Sequence, residues 1–283
     1  MLKNNLLLSL PALLTLAACK PAEKAASDAS ATKAVPASDS ARPAHWGYEG
    51  EDGPPYWPKL SPVYAACGEG KSQSPINIAK SEAGESTAWK LDYQKTKLKI
   101  SHHAHVDDII DNGHTIQVTV DGGSTLTTDK DTYELKQFHF HTPSEHTVDG
   151  AHMPLEIHFV HQSADGKLAV VGVLVREGPA NENLAKLITH FPTAKGETKH
   201  VADVELDLKL HLPDSVAAYH YSGSLTTPPC TENVDWMVLR DPITASPEQL
   251  AAFEAKLGKS NRPVQSLHGR SLRTRLLQSK AAE

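Results

Sequence analysis

No stretch of this chain stays apolar for the about 20 residues that a membrane-crossing helix needs. The longest run, LLLSLPALLTLAA over 6–18, stops at 13 residues. Cysteine is scarce, with only Cys19, Cys67 and Cys230 in 283 residues. An excess of positive charge is also missing. Lys and Arg total 28 against 34 Asp and Glu, for a net charge of −6, and no basic stripe exists. That removes nucleic acid from the partners. HExxH does not occur, so a zincin-type peptidase has no support. No internal repeat is present.

What is there begins with the N-terminus. Lys3, the short apolar run and the small Ala17-Ala18 pair follow the pattern of an export signal. LTLAAC resembles the bacterial lipoprotein box. That implies a signal peptide over 1–18 and a lipidated Cys19 as first mature residue; the alternative is ordinary cleavage beside an incidental cysteine. Lys20 after that cysteine leans the destination towards the outer membrane rather than the inner one. The expected location is the bacterial periplasm or cell surface, with the membrane as a partner through the lipid. Residues 20–43 are almost all Ala, Ser, Pro, Lys and Asp, with Val35 the one larger aliphatic residue. Such a segment cannot offset its ordering entropy by burial. The sequence therefore predicts a disordered tether over 19–43, reaching about 25–30 Å as a random coil.

About 235 residues remain, from Ala44 to Gln278, followed by a short tail over 279–283. One large domain fits that length. In an exported protein, Cys67 and Cys230 are expected to pair. Chain entropy over a loop of this length gives about 5 kcal/mol. Two buried free thiols are the alternative. Neither composition nor motif decides the oligomeric state, and a homodimer is left open.

Strand signals dominate. TIQVTV (115–120) alternates polar and apolar residues between the turn signals Asn112-Gly113 and Asp121-Gly122-Gly123. LAVVGVLV (168–175) and VDWMVL (234–239) read as strands buried on both faces. SPEQLAAFEAKLG (246–258) reads as a helix, with Ser246 as N-cap, Pro247 at the first position and Gln249 at the third. Its Leu250, Phe253 and Leu257 share a face, and Gly258 ends it. NENLAKLITHF (181–191) is a second helix. The fold class is mainly β: a single domain with peripheral short helices.

The chemistry sits in QFHFHTPSEH, residues 137–146. Period two places Leu135, Gln137, His139 and His141 on one side of a strand, with Phe138 and Phe140 on the other. The two imidazoles then lie about 6.5 Å apart along the strand, close enough to converge on one ion. A catalytic zinc takes three protein ligands and leaves a position for water. PLEIHFVH (154–161) offers the third. Its Glu156, His158 and Val160 share a face opposite Leu155, Ile157 and Phe159. The 12-residue connection TPSEHTVDGAHM contains Asp149-Gly150 and can return the chain antiparallel, so that His158 meets His139 and His141. Three histidines without a nearby thiolate suit zinc. Glu156 can accept the free N–H of His158, and Gln137 that of His139. The competing reading is ordinary surface histidines. His161, on the far face, reads as a structural histidine. The SHHAH cluster (101–105), flanked by Lys99 and Asp107-Asp108, reads as a solvated edge or turn.

QFHFH, SEHTVDG, EIHFVH and SLTTPPCTE, in this order and approximate spacing, resemble the α-class carbonic anhydrases, and particularly their exported bacterial branch. HWGY (45–48), QSPINI (73–78), NGH (112–114) and RPVQ (262–265) add to the match, which runs from His45 to Arg270. The resemblance implies a central twisted sheet of about ten mainly antiparallel strands, with zinc at the bottom of a conical cleft. It makes 44–278 the catalytic domain. It implies reversible hydration of carbon dioxide to bicarbonate and a proton, by attack of a zinc-bound hydroxide.

Residue by residue, it implies that His139, His141 and His158 hold the zinc. Thr226 accepts a hydrogen bond from the hydroxide and donates one to Glu145. His114 shuttles the proton. Val160, Val170, Leu225, Val234 and Trp236 form the apolar wall for carbon dioxide, and Thr227 contacts bicarbonate. Tyr48, Asn112 and Gln117 hold ordered water. Ser74-Pro75 and Pro228-Pro229 are expected to be cis. A Cys67–Cys230 bridge pins the loop that carries Thr226. Thr142 and Gln162 stand where vertebrate members commonly carry tryptophan, and Gln117 replaces a commoner asparagine. Two other classes compete: a non-enzymatic zinc-binding or adhesive lipoprotein on the same scaffold, and a zinc esterase or peptidase.

Overall fold

Alternation along the long strands sends buried side chains into two cores, and a smaller third cluster forms around Trp46, Trp57 and Tyr64. The protein is described here by a computed structural model that covers residues 44–84, 89–102, 115–212 and 216–279. The export signal, Cys19, the tether, Asn112, His114, most of the SHHAH cluster and the last four residues lie outside the described residues. In the strand Leu168–Glu177, Ala169, Val171, Val173 and Val175 enter one core, while Val170 and Leu174 enter the other. In Glu232–Leu239, Met237 and Leu239 join the first, while Val234, Trp236 and Val238 join the second. This two-sided burial is why both segments read as continuous apolar runs. The first core is capped by helices: Leu184 and Leu187 of Glu182–Thr189 and Phe253 of Pro247–Leu257 pack into it. The second face carries the polar chemistry.

Both helices lie within the segments that the sequence predicts. Asn181 caps one by accepting from the Leu184 amide. Ser246 and Gln249 form a reciprocal capping box on the other, with Pro247 in the first turn and Gly258 at φ 62° after the last.

The sheet is larger than the ten strands expected. Among the described residues it has 13 strands, mixed but mostly antiparallel, and a second sheet has three. The hydrogen-bonded path runs from Leu155–Ser163 through Leu168–Glu177, Glu232–Leu239, Val216–Ser224, Arg273–Ser279, Trp89–Asp92 and Thr125–Thr127 to Thr132–His141. It closes on itself, because Thr132–His141 also pairs with Leu155–Ser163. Ile116–Thr119, Lys95–His102 and Thr198–Asp207 branch from there. The excess comes partly from strands of two and three residues, Glu82–Ala83 and Ile243–Ala245. Segments that short cannot display alternation.

One parity assignment fails. Leu135 joins the first core with Phe138 and Phe140 instead of sharing the side of His139. The ladder shows why. Val160 faces Gln137 but His161 faces Leu135, so Lys136 is an extra residue in a β-bulge. A bulge resets which face the residues before it occupy.

Two further histidines are buried in this framework. His161 lies 2.9 Å from the Tyr93 hydroxyl, on the first-core face, as its parity implies. His211 sits in a short turn, Leu208–His211, against the rings of Phe138 and Phe159. Neither of its ring nitrogens has a hydrogen-bond partner among the described residues. Burial pulls its pKa from the usual 6.5 to about 4. The folded chain thus keeps His211 neutral where the unfolded chain takes a proton, so stability is present above pH 6.5 and is lost as pH falls towards 4. The full linkage is worth about 3 kcal/mol. His211→Leu is expected to leave the melting temperature at pH 8 nearly unchanged and to raise it at pH 5. An equal change at both pH values would exclude this titration as the cause.

Candidate metal centre

The antiparallel pairing of Thr132–His141 with Leu155–Ser163 places His158 directly opposite His139, and Glu156 opposite His141. The site is therefore a product of register, since a one-residue slip would send these side chains to the other face. Each of His139, His141 and His158 offers a nitrogen, and the three atoms lie within 4.8 Å of one another. All three rings are buried.

Each ring also has one nitrogen tied to an acceptor. His139 Nδ1–H donates to Gln137 Oε1 at 2.8 Å, and His141 Nδ1–H to the Ser260 carbonyl at 2.6 Å. His158 Nε2–H donates to Glu156 Oε1 at 2.9 Å. Because each partner is an oxygen acceptor, these protons are fixed, and the lone pairs fall on the opposite nitrogens. His141 Nε2 is buried with no hydrogen-bond partner among the described residues. Burial lowers the pKa of His141 to about 4 and lowers that of His158 as well, which favours neutral rings, the form that ligates a metal. The donor set fits a borderline divalent ion: three buried imidazoles, no thiolate among them and one orphaned lone pair.

Two carboxylates serve the site differently. Glu156 Oε2 accepts from the amides of Glu145 and His146 at 2.8 and 2.9 Å. Its Oε1 accepts from His158 and from His146 Nδ1, the latter at 2.7 Å. Burial alone would raise its pKa, but His146 and His158 overcome this and hold it well below the usual carboxylate range. Glu145 is the reverse. Burial pushes it up to about 7, against the opposing pull of His158, the Arg262 amide and hydrogen bonding with Thr226. The Arg262 amide donates to Glu145 Oε1 at 2.9 Å. Among the described residues Glu145 Oε2 has no hydrogen-bond partner, and it lies 3.6 Å from His141 Nε2 and 3.9 Å from His158 Nδ1. It faces the space between the imidazoles without joining the three-nitrogen group.

The other expected residues gather around this space or lie outside the description. Val160, Val170, Leu225, Val234 and Trp236 form one apolar cluster with Tyr221. Thr226 and Thr227 are buried in the loop that follows Val216–Ser224. Gln117 faces His139 across the ladder, and its Oε1 is buried without a partner among the described residues. Tyr48 is half-buried. Burial raises the pKa of its hydroxyl well above 10, with the nearby Glu145 charge adding to the shift. Cys67 and Cys230 are bonded, Cα–Cα 5.0 Å, and tie the short helix Ala66–Glu69 to the Thr226 loop. The bonds before Pro75 and Pro229 are cis, as the resemblance implies, and so is the one before Pro143.

Four contributors escape a reading by motif and parity. His146 links Glu156 to Tyr221, whose hydroxyl lies 2.7 Å from His146 Nε2 and 2.9 Å from Ser74 Oγ. Its position in PSEH is visible, but no strand period extends past Pro143 to orient it. Ser260 and Arg262 act at the site through a carbonyl and an amide, which any residue type carries.

The eukaryotic-type carbonic anhydrase family model matches residues 52–276. A carbonic anhydrase of Pectobacterium carotovorum is 44% identical over 227 residues, covering 80% of this chain and 89% of the relative. A carbonic anhydrase of Neisseria gonorrhoeae is 40% identical, covering 80% and 86%. Among solved structures, the α-carbonic anhydrase of Thermovibrio ammonificans, complexed with the inhibitor sulfanilamide, superposes with a TM-score of 0.75 at 40% identity. That match covers 81% of this chain and 99% of that one.

Proposed function

This chain belongs to the eukaryotic-type, or α-class, carbonic anhydrases, and on that premise we propose that His139, His141 and His158 hold a zinc ion at its reacting centre. The enzyme catalyses the reversible hydration of carbon dioxide to bicarbonate and a proton. The observation that carries the zinc assignment is the convergence of three imidazole nitrogens within 4.8 Å, with the opposite nitrogen of each ring tied to a fixed acceptor. A zinc ion there would supply a water that ionises near neutral pH, an effect for which the carbonic anhydrases are themselves the reference case.

The chain's own residues do the rest. Gln137, Glu156 and the Ser260 carbonyl hold the three rings in the tautomers that ligation needs. Thr226 has one hydroxyl proton. Given to Glu145, it leaves only a lone pair for the reacting oxygen, which must then donate to Thr226 and turn its own lone pair towards carbon dioxide. Val160, Val170, Leu225, Val234 and Trp236 hold the apolar substrate without competing for hydrogen bonds. Thr227 contacts bicarbonate. Tyr48, Asn112 and Gln117 order water towards His114, whose side-chain type titrates near neutrality and so can accept and release the proton.

Stopped-flow hydration in dilute buffer tests this reading. Catalysis is expected to vanish with a zinc chelator and to return with added zinc. His114→Ala is expected to slow turnover in dilute buffer, and imidazole to restore part of it. A zinc-loaded protein that hydrates carbon dioxide no faster than buffer would end the assignment. An unchanged rate for His114→Ala in dilute buffer would end the shuttle alone.

A further inference from the structure

We propose that Arg262 is a positioning residue for this reaction. Its guanidinium clamps the turn whose amide holds Glu145, and so sets where that carboxylate points. The inference rests on the Thr226–Glu145 reading above.

Arg262 is 2% exposed. Nη1 donates to Gln73 Oε1 at 2.9 Å and to the Ser74 carbonyl at 2.7 Å; Nη2 donates to the Cys67 carbonyl at 2.7 Å. The guanidinium carbon stands 5.7 Å from the ring centroid of Trp57. All three acceptors are neutral. A buried cation that faces only neutral acceptors is costly to desolvate. Satisfying three buried acceptors does not by itself explain why a charged fork stands at this place.

Its connections do. The Arg262 amide is the donor to Glu145 Oε1. The Gln73 side chain that accepts from the guanidinium also donates to the Cys230 carbonyl at 3.0 Å. Cys230 is bonded to Cys67, whose carbonyl is another of the three acceptors. One side chain thus binds the Ala66–Glu69 helix, the Gln73–Ser74 turn and, through them, the loop that carries Thr226. Its backbone meets the other half of the Thr226–Glu145 pair. The planar fork reaches three acceptors at once, a geometry that an ammonium on a flexible stem does not reproduce.

The test is a double-mutant cycle in the zinc-loaded enzyme, using Arg262→Lys, Glu145→Gln and the double variant. Arg262→Lys is expected to lower kcat about tenfold while KM stays within about twofold and zinc content is unchanged. In the Glu145→Gln background the same change is expected to cost almost nothing, because the group it positions is already disabled. Arg262→Met, which removes charge and fork together, is expected to fold at least as well as Arg262→Lys and to show the same split; it carries the test if the lysine variant folds poorly. Wild-type kcat in both variants would overturn the proposal. So would a loss that simply adds to that of Glu145→Gln, which is the mark of a merely structural residue. If Glu145→Gln by itself leaves kcat unchanged, the Thr226–Glu145 reading fails and this proposal fails with it.

Discussion

His158→Ala is expected to abolish measurable carbon dioxide hydration and to leave the purified protein with little zinc. The loss should far exceed the about 10- to 100-fold that removal of an outer hydrogen-bond partner costs. Two effects combine. The site falls from three nitrogens to two, so the chelate geometry that zinc needs is gone. Glu156 also loses one of its donors, although His146 and two amides still hold it. Because those remain, the cost to the fold should stay at about 1–3 kcal/mol, the range for one buried acceptor deprived of a partner. Glu156→Gln provides the comparison. It keeps the three imidazoles but turns an N–H donor towards donors in place of one acceptor oxygen, and should weaken zinc without emptying the site. Zinc stoichiometry after dialysis, measured beside stopped-flow rates, separates the two. A His158→Ala protein that retains one zinc and near-normal turnover would show that the ligand set has been misread.

Thr226→Val is expected to lower kcat/KM by about 10²- to 10³-fold, the range seen when one oriented hydrogen-bonding group is removed from a reacting centre. Valine preserves shape, so the buried loop should not collapse. Zinc content and melting temperature should both hold. Thr226→Ser, which keeps the hydroxyl, should retain most activity. Glu145→Gln should resemble Thr226→Val in size, because an amide N–H presented to Thr226 would turn the hydroxyl proton towards the reacting oxygen, the wrong polarity. The double variant should be scarcely worse than either single one, since both disable one unit. Full activity in Thr226→Val would remove this pair from the mechanism while leaving the metal ligands untouched.

Much of this site could be read along the chain because the groups concerned obey a local period. His139 and His141 are two residues apart on one strand, and Glu156 and His158 repeat that spacing on the next. Gln137 and Glu156 were placed against their histidines by the same rule, and hydrogen bonds of 2.8 and 2.9 Å join those pairs. The Ser246 cap and its Gln249 partner are equally local. The rule failed at Leu135, where a bulge at Lys136 changed the face. It was silent on the shortest strands, which are too brief to show any period.

The sequence by itself therefore determined the histidines of the site, their spacing along each strand, the Ser246 cap and, through its motif set, the family. Only the tertiary structure decided which residues meet. Register brought His158 across from His139. The Ser260 carbonyl reached His141 from 119 residues away, and the Arg262 amide reached Glu145 from 117 away. His146 and Tyr221, 75 residues apart, met behind Glu156. The physical reason is the same in each case. Periodicity records how a residue sits relative to its neighbours in the chain. A backbone carbonyl or amide carries no residue-type signal, and where it lands depends on how whole strands and turns pack.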